Sequence, residues 1–248
     1  MEIAYAYINE LGDRLRQEDA VGTCVYDEKA VFAVADGLGG HGMGDVASTQ
    51  IIEKVLRLFR KDMGIERYFS EVFTDGNKML CELQEQYHIL NGIKTTLACI
   101  VIEGDVIYGA YIGDSRIYIF EKDRIVFRTL DHSLPQMLAN IGEISEKDIR
   151  NLPDRSRLLK VLGDQNRDVF PQIIEKYCIQ DNTRVLVCLD GFWENILENE
   201  MEKTLRKSKN SNEWMSRMKK IVERRSKLKK QDNYSAICVD IRKNGSVK

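Results

Sequence analysis

The 248-residue chain is poor in proline and histidine, with three of each, and no two cysteines stand in a CxxC pair. With no HxxxH or HExxH spacing either, the nitrogen and sulfur ligand sets of zinc are disfavoured. The six cysteines, Cys24, Cys81, Cys99, Cys178, Cys188 and Cys238, are scattered, several inside apolar runs such as TTLACIVI and VLVCLD. They read as small core residues with reduced thiols in a cytoplasmic protein, not as a disulfide framework. No segment approaches the roughly 20 apolar residues that span a bilayer, and MEIAYAYINE lacks a basic region leading into a long apolar stretch, so no membrane partner is expected. Neither sign of charge is in excess: 37 Lys and Arg against 39 Asp and Glu leave a formal net charge of -2, which gives no global reason to bind nucleic acid. What remains is a soluble globular composition, 43% hydrophobic and 31% charged, long enough for one large domain over residues 1–248.

Short β-branched and aromatic runs read as strands over Ile3 to Ile8, Ala20 to Tyr26 and Ala30 to Ala35. A glycine-rich turn follows. Beyond Gly44, apolar residues recur at helical spacing (Val46, Ile51, Ile52, Val55, Leu56, Phe59), and a second helix is expected over Ile65 to Tyr87. From Thr95 to Arg128 four more strand-like runs, broken at Gly104-Asp105, Gly113-Asp114 and Lys122-Asp123, read as an antiparallel meander. Residues Asp131 to Asp168 are more polar, with short helical patterns. Strand character returns in VFPQIIEKYCI and RVLVCLD, and a lysine-rich helix over Trp214 to Lys230 precedes a last strand, Tyr234 to Ile241. Strand runs interleaved with helix pairs imply an α+β fold on antiparallel sheets.

The informative feature is the placing of aspartates at strand ends beside glycine: Asp36-Gly37, Gly113-Asp114 and Asp190-Gly191, with Asp232-Asn233 before the last strand. Each dipeptide alone is more often a turn than a ligand set. If the sheets bring these ends together, several carboxylates share one cleft, and their repulsion calls for cations. Oxygen-only ligands select Mg²⁺, Mn²⁺ or Ca²⁺. Glycine after Asp36 lets the backbone approach, so the Gly37 carbonyl is a candidate ligand.

The ordered series RLRQED from Arg14, VADGLGGHGMGDVAS, IKTTLACIV, YIGDSRIYIF, LDHS, VLVCLDGFWENI and QDNYSAICV resembles the PPM family, the type 2C protein phosphatases, in its bacterial form, over almost the whole chain. The resemblance implies a four-layer α-β-β-α sandwich with two central, mainly antiparallel sheets. It implies two Mn²⁺ or Mg²⁺ ions, with Asp36 bridging them, the Gly37 carbonyl on the second, and Asp190 and Asp232 on the first. Asp114 with Asp190 would hold a third, weaker ion; Glu18 and Asp19 would hold metal-bound waters or support the ligands. Arg14 matches the phosphate-binding arginine, and its fork suits phosphate oxygens. The implied reaction is direct in-line attack by a metal-bridging hydroxide on phosphoserine or phosphothreonine. Partners would be phosphorylated proteins, the substrates of a serine/threonine kinase, met by a monomer. The segment from His132 to Arg167 resembles the flap of bacterial relatives.

Three positions depart from the family pattern. Leu38 stands where eukaryotic members carry a histidine proposed as general acid, leaving that role unassigned, with His41 as a neighbour equally suited to packing or capping. Lys94 replaces a glycine before the paired threonines, and Leu189 replaces a serine before Asp190. None removes a ligand, yet a bulky Leu189 keeps open an alternative, a catalytically weak or inactive homologue that binds phosphoproteins. A further alternative is that the aspartates cap turns and bind no metal. The basic run Arg217 to Lys230 is either a docking face for an acidic partner or a solvated helix face.

Overall fold

The computed structural model describes residues 1–26, 28–38, 43–60, 63–165, 169–226 and 230–243. Its strands are β1 (Glu2–Glu10), β2 (Asp19–Tyr26), β3 (Lys29–Leu38), β4 (Lys94–Thr95), β5 (Leu97–Glu103), β6 (Val106–Ile112), β7 (Arg116–Glu121), β8 (Arg124–Arg128), β9 (Gln172–Cys178), β10 (Thr183–Cys188) and β11 (Tyr234–Arg242). Its helices are α1 (Gly44–Phe59), α2 (Ile65–Gln86), α3 (Leu134–Asn140), α4 (Asp190–Trp193), α5 (Glu198–Arg206) and α6 (Ser211–Ser226), with a 3₁₀ turn over Glu146–Asn151. One sheet has the order β1-β11-β10-β7-β8 and the other β2-β3-β5-β6-β9, with β4 on β3, and every pairing between neighbours is antiparallel.

The four expected layers follow from how buried strands divide their side chains. In β3, Val31, Ala33 and Ala35 face α1 and α2, where they meet Ile51, Val55, Phe69 and Phe73, while Ala30, Phe32 and Val34 face the other sheet. In β11, Ala236 and Cys238 face the helices with Trp214 and Met218 of α6, while Ile237, Val239 and Ile241 meet β3 and β10 between the sheets. Such strands are mostly apolar because both faces are covered, and the period of two only decides which core each apolar residue joins.

Two expectations are corrected. The run from Thr95 to Arg128 is not one meander but two hairpins in different sheets: β5-β6 in one, β7-β8 in the other. The chain crosses at Gly113-Asp114-Ser115. Gly113 has φ +99°, and a Cβ there would sit 2.5 Å from the Thr96 side chain, so only glycine makes the crossing. Nor are all the cysteines core residues: Cys99, Cys188 and Cys238 are buried, but Cys178 is exposed because β9 is an edge strand. Two helices were not anticipated. α4 is one turn long, and α5 buries only Met201, Thr204 and Leu205 of its nine residues.

Antiparallel alternation places the end of β3, the start of β2, the β6-β7 crossing, the end of β10 and the start of β11 on one rim of the sandwich. These are the positions of Asp36, Asp19, Asp114, Asp190 and Asp232.

Candidate metal centre

Asp36 lies near the end of β3, directly across from Asp19 at the start of β2. Its backbone is held from the far side by the paired threonines: its N–H donates to Thr96 Oγ1 at 3.0 Å, and its carbonyl accepts from the Thr96 N–H at 2.9 Å and from Thr95 Oγ1 at 2.8 Å. Thr96 Oγ1 in turn bonds Ser115 Oγ at 2.7 Å, beside Asp114. The main chain at Asp36 is thereby fixed to the crossing that carries Asp114. Gly37 packs against the first turn of α1 so tightly that a Cβ on it would lie 2.1 Å from the Gly44 carbonyl oxygen.

Asp190 opens α4, and its neighbour Gly191 approaches the last strand so closely that a Cβ would lie 2.0 Å from the Asn233 carbonyl oxygen. The loop bearing Arg14 and Glu18 is stapled by Asn233, whose Nδ2 donates to the carbonyls of Leu11 at 2.7 Å and Arg16 at 3.1 Å and whose Oδ1 accepts from the Glu18 N–H at 2.9 Å. The Glu18 carbonyl accepts from Ser48 Oγ at 2.5 Å and from the Gly37 N–H at 3.0 Å. Asp19 accepts from Ser235 Oγ at 2.7 Å.

Burial raises the proton affinity of Asp19, Asp36, Asp114 and Asp190 well above the ordinary carboxylate range, and their negative neighbours raise it further. Asp36 feels Asp19, Asp114, Asp232 and Glu18; Asp190 feels Asp36, Glu194 and Asp232. Asp19 and Asp114 are 6% and 5% exposed, whereas Asp36 and Asp190 keep part of their surface open to the cleft although protein surrounds them closely. Glu18 is raised as well, chiefly by burial. Arg14 is a cation at the rim of this ring: its Nη2 meets Asp232 Oδ2 at 2.5 Å, and this bond raises its own pKa. A cleft of about 390 Å³ opens beside it, lined by Arg14, Arg155, Ser156, Asp190, Lys230 and Asp232 among others. A larger hollow, about 650 Å³, lies between the edges of β8 and β9 and takes in none of these residues.

Among the described residues no three of the Asp, Glu, His and Cys side chains already form an ion cage. The donor chemistry nonetheless fits a hard divalent cation. All donors are oxygen, and carboxylates that raise one another's proton affinity attract positive charge for the same electrostatic reason. Asp36, Asp190 and Asp232, with Asp114, Glu18, Asp19 and the Gly37 carbonyl around them, are the groups that would hold it.

A family model described as Protein phosphatase 2C matches residues 10–231. The chain belongs to the protein phosphatase 2C family. Among similar proteins, the serine/threonine phosphatase stp of Listeria innocua is 31% identical over 193 residues, 75% of this chain and 76% of that one. The crystal structure of the Mycobacterium tuberculosis serine/threonine phosphatase PstP/Ppp superposes with a TM-score of 0.85 at 25% identity, covering 97% of this chain and 99% of that one. The catalytic domain of PstP, solved in complex with two manganese ions, matches with a TM-score of 0.82 at 24% identity over 97% and 99% of the two chains.

In this member of the 2C family the three departures fall outside the carboxylate ring. Leu189 is wholly buried in the core between the sheets. Lys94 pairs with Leu38 across β4 and β3, and Leu38 is half-buried on the same face of β3 as Asp36. His41 lies outside the described residues, as do Arg167 at the end of the flap-like segment and residues 227–229 of the basic run. Before that end the flap-like segment is tied down: Arg150 pairs with Glu198 at 2.7 Å, Arg155 holds Glu194 at 2.8 Å, and the Leu159 N–H donates to the His132 carbonyl at 2.8 Å.

Sequence reasoning missed several supports of the site. One is the buried Arg116, 1% exposed, whose guanidinium is bidentate to Asp131 (2.8 and 2.7 Å) and lies 3.4 Å from the centre of the Trp193 ring. The Trp193 indole N–H donates to the Asp114 carbonyl at 3.0 Å. The available signal was a charged residue at the head of the otherwise apolar strand RIYIF.

Proposed function

We propose that this chain is a metal-dependent serine/threonine protein phosphatase in which Asp36, Asp190 and Asp232, with the Gly37 carbonyl, hold Mn²⁺ or Mg²⁺ and Arg14 holds the phosphate. The observation that carries the reading is the ring of mutually repelling carboxylates beside a cleft that Arg14 and Arg155 line. Bound there, divalent ions would lower the pKa of water and offset charge on the phosphoryl group. Arg14 supplies the fork for two phosphate oxygens, and its contact with Asp232 keeps it at the rim of the ring. The Thr95-Thr96-Ser115 network orients Asp36, and Asn233 sets the height of the Arg14 loop, so the phosphoryl group and the carboxylates meet in fixed register. Asp114 and Asp190 are placed for a further ion, with Glu18 and Asp19 supporting the ring.

Physiological substrates would be phosphoproteins of a serine/threonine kinase, met by residues 1–248 as one catalytic domain acting as a monomer. Six cysteines that form no disulfide suit a reducing, cytoplasmic setting. Among the described residues no helix is long and apolar enough to cross a membrane.

The test is hydrolysis of a phosphothreonine peptide with Mn²⁺, with Mg²⁺ and with EDTA, beside Asp36→Asn and Arg14→Ala. Turnover should require metal, vanish in Asp36→Asn and fall about 10- to 100-fold in Arg14→Ala, the loss of a charge-assisted bidentate contact. Metal-dependent turnover that survives in Asp36→Asn would refute the assignment.

A further inference from the structure

Helix α6 carries its cations in two classes. Lys219 and Arg225 are committed within the molecule: Lys219 to Glu10, and Arg225 to Glu200 and to the Asn195 carbonyl at 3.3 Å. Arg217, Lys220 and Arg224 are exposed, and none forms an ion pair or hydrogen bond with another described residue. Spaced three and four apart, they form one stripe along the helix. Like charges at that spacing weaken a helix, so the stripe is a local liability, and no described acid is in ion-pair contact with it.

The stripe has a direction. Arg225 touches the backbone of Asn195, which lines the cleft with Arg14, Asp190 and Asp232, and Lys230, also exposed and without an ion-pair partner among the described residues, lines the same cleft. From Arg224 back to Arg217 the helix leads away from that wall for about 10 Å, the reach of about three residues of extended peptide. The large apolar residues on α6, Trp214, Met215, Met218 and Val222, are buried against the sheet and Ile221 packs partly buried beside them, so the helix presents no apolar face to lipid.

We propose that Arg217, Lys220 and Arg224 form a docking track for an acidic segment of the phosphoprotein substrate beside its phosphorylated residue. This rests on the phosphatase reading of the cleft and adds to it a substrate class, phosphoproteins whose modified serine or threonine is flanked by acidic residues.

The test compares phosphothreonine peptides of equal length carrying three acidic residues before the phosphothreonine, three after it, or neutral residues throughout, with p-nitrophenyl phosphate as a substrate too small to reach α6. The wild type should favour one of the two acidic peptides by about tenfold in kcat/KM at low salt, and the preference should fade as salt screens it. The triple reversal R217E/K220E/R224E should abolish that preference while its rates on the neutral peptide and on p-nitrophenyl phosphate match those of the wild type. The charge-preserving R217K/K220R/R224K should retain it. Equal rates on acidic and neutral peptides in the wild type, or a preference that survives the triple reversal, would overturn the proposal. So would a triple reversal that releases the protein from phosphatidylserine vesicles without changing peptide choice. No turnover of p-nitrophenyl phosphate by the wild type with Mn²⁺ would instead bring down the phosphatase reading, and the docking track with it.

Discussion

Removing one charge from the carboxylate ring should stabilise the metal-free protein while destroying its response to metal. Asp36 and Asp19 are cross-strand partners on β3 and β2, which sets their side chains about 5 Å apart on one face. At an effective dielectric of about 20, two unit charges at that distance repel by about 3 kcal/mol. Protonation relieves part of this, since both groups have raised pKa values, leaving about 1–3 kcal/mol to be gained by Asp36→Asn at neutral pH. For a domain of this size that is an increase of about 2–12 °C in Tm. A carboxylate with a raised folded-state pKa leaves the folded chain holding more protons than the unfolded one, so its contribution is full below the unfolded pKa and lost as pH rises through the folded one. The advantage of the variant should therefore widen from pH 5 to pH 8. The assay is thermal unfolding in EDTA and in Mn²⁺. Wild type at 100-fold excess over Kd should gain about 2.7 kcal/mol from the ion, and Asp36→Asn less than half of that. A variant that melts below wild type in EDTA, or that keeps the full Mn²⁺ shift, would refute the picture of Asp36 as a charge held at the centre of the ring.

Three further outcomes follow from the supports of the site. Asn233→Ala removes three hydrogen bonds from a side chain 4% exposed; it should lower stability by about 2–4 kcal/mol in denaturant titration and reduce peptide turnover together with it. Arg116→Ala strands the buried Asp131 charge and should cost about 3–5 kcal/mol, whereas the double change Arg116→Met with Asp131→Leu should recover most of that loss. His132 has its pKa lowered to about 4, first by burial and then by Lys160, and its Nδ1 accepts from the Gly113 N–H at 3.2 Å. The folded chain then binds fewer protons than the unfolded one between about pH 6.5 and 4, so this contribution is present above that window and lost below it, by about 1–2 kcal/mol for a part-exposed ring. Set against His132→Gln, the wild type should lose the additional stability over that interval, and parallel pH curves would contradict the assignment.

The ring was legible in sequence because Asp36, Asp114, Asp190 and Asp232 fall at or beside the ends of apolar strands next to glycine or asparagine, a pattern that local chemistry makes conspicuous. The sheet assignment of β7 was not. β6 and β7 are covered on both faces, so neither shows an alternation that could say which sheet it joins, and the turn between them looks like any hairpin. α5 escaped notice because two apolar residues in nine are too few to show a period. The Arg116-Asp131 pair was invisible for a different reason: its two charges are buried in contact, and only the fold supplies that contact. Asn233 was read as the neighbour of Asp232, although its side chain ties down the Arg14 loop from the opposite end of the chain.

The pairing of β1 with β11, Glu2 opposite Arg242 through Glu10 opposite Tyr234, bears on how the protein is made. β11 is the last of the described strands in chain order, yet it lies second in its sheet, between β1 and β10, and it is preceded directly by Asp232 and Asn233. Until it emerges, β1 has no neighbour, β10 lacks one side, and the Arg14 loop has no staple. A nascent chain can therefore form the α1-α2 half of the sandwich early, but the cleft closes only once β11 has emerged. Chains cut short before β11 would lack a strand, a carboxylate and the loop anchor together, so a phosphatase assembled in this order releases no partly active fragments.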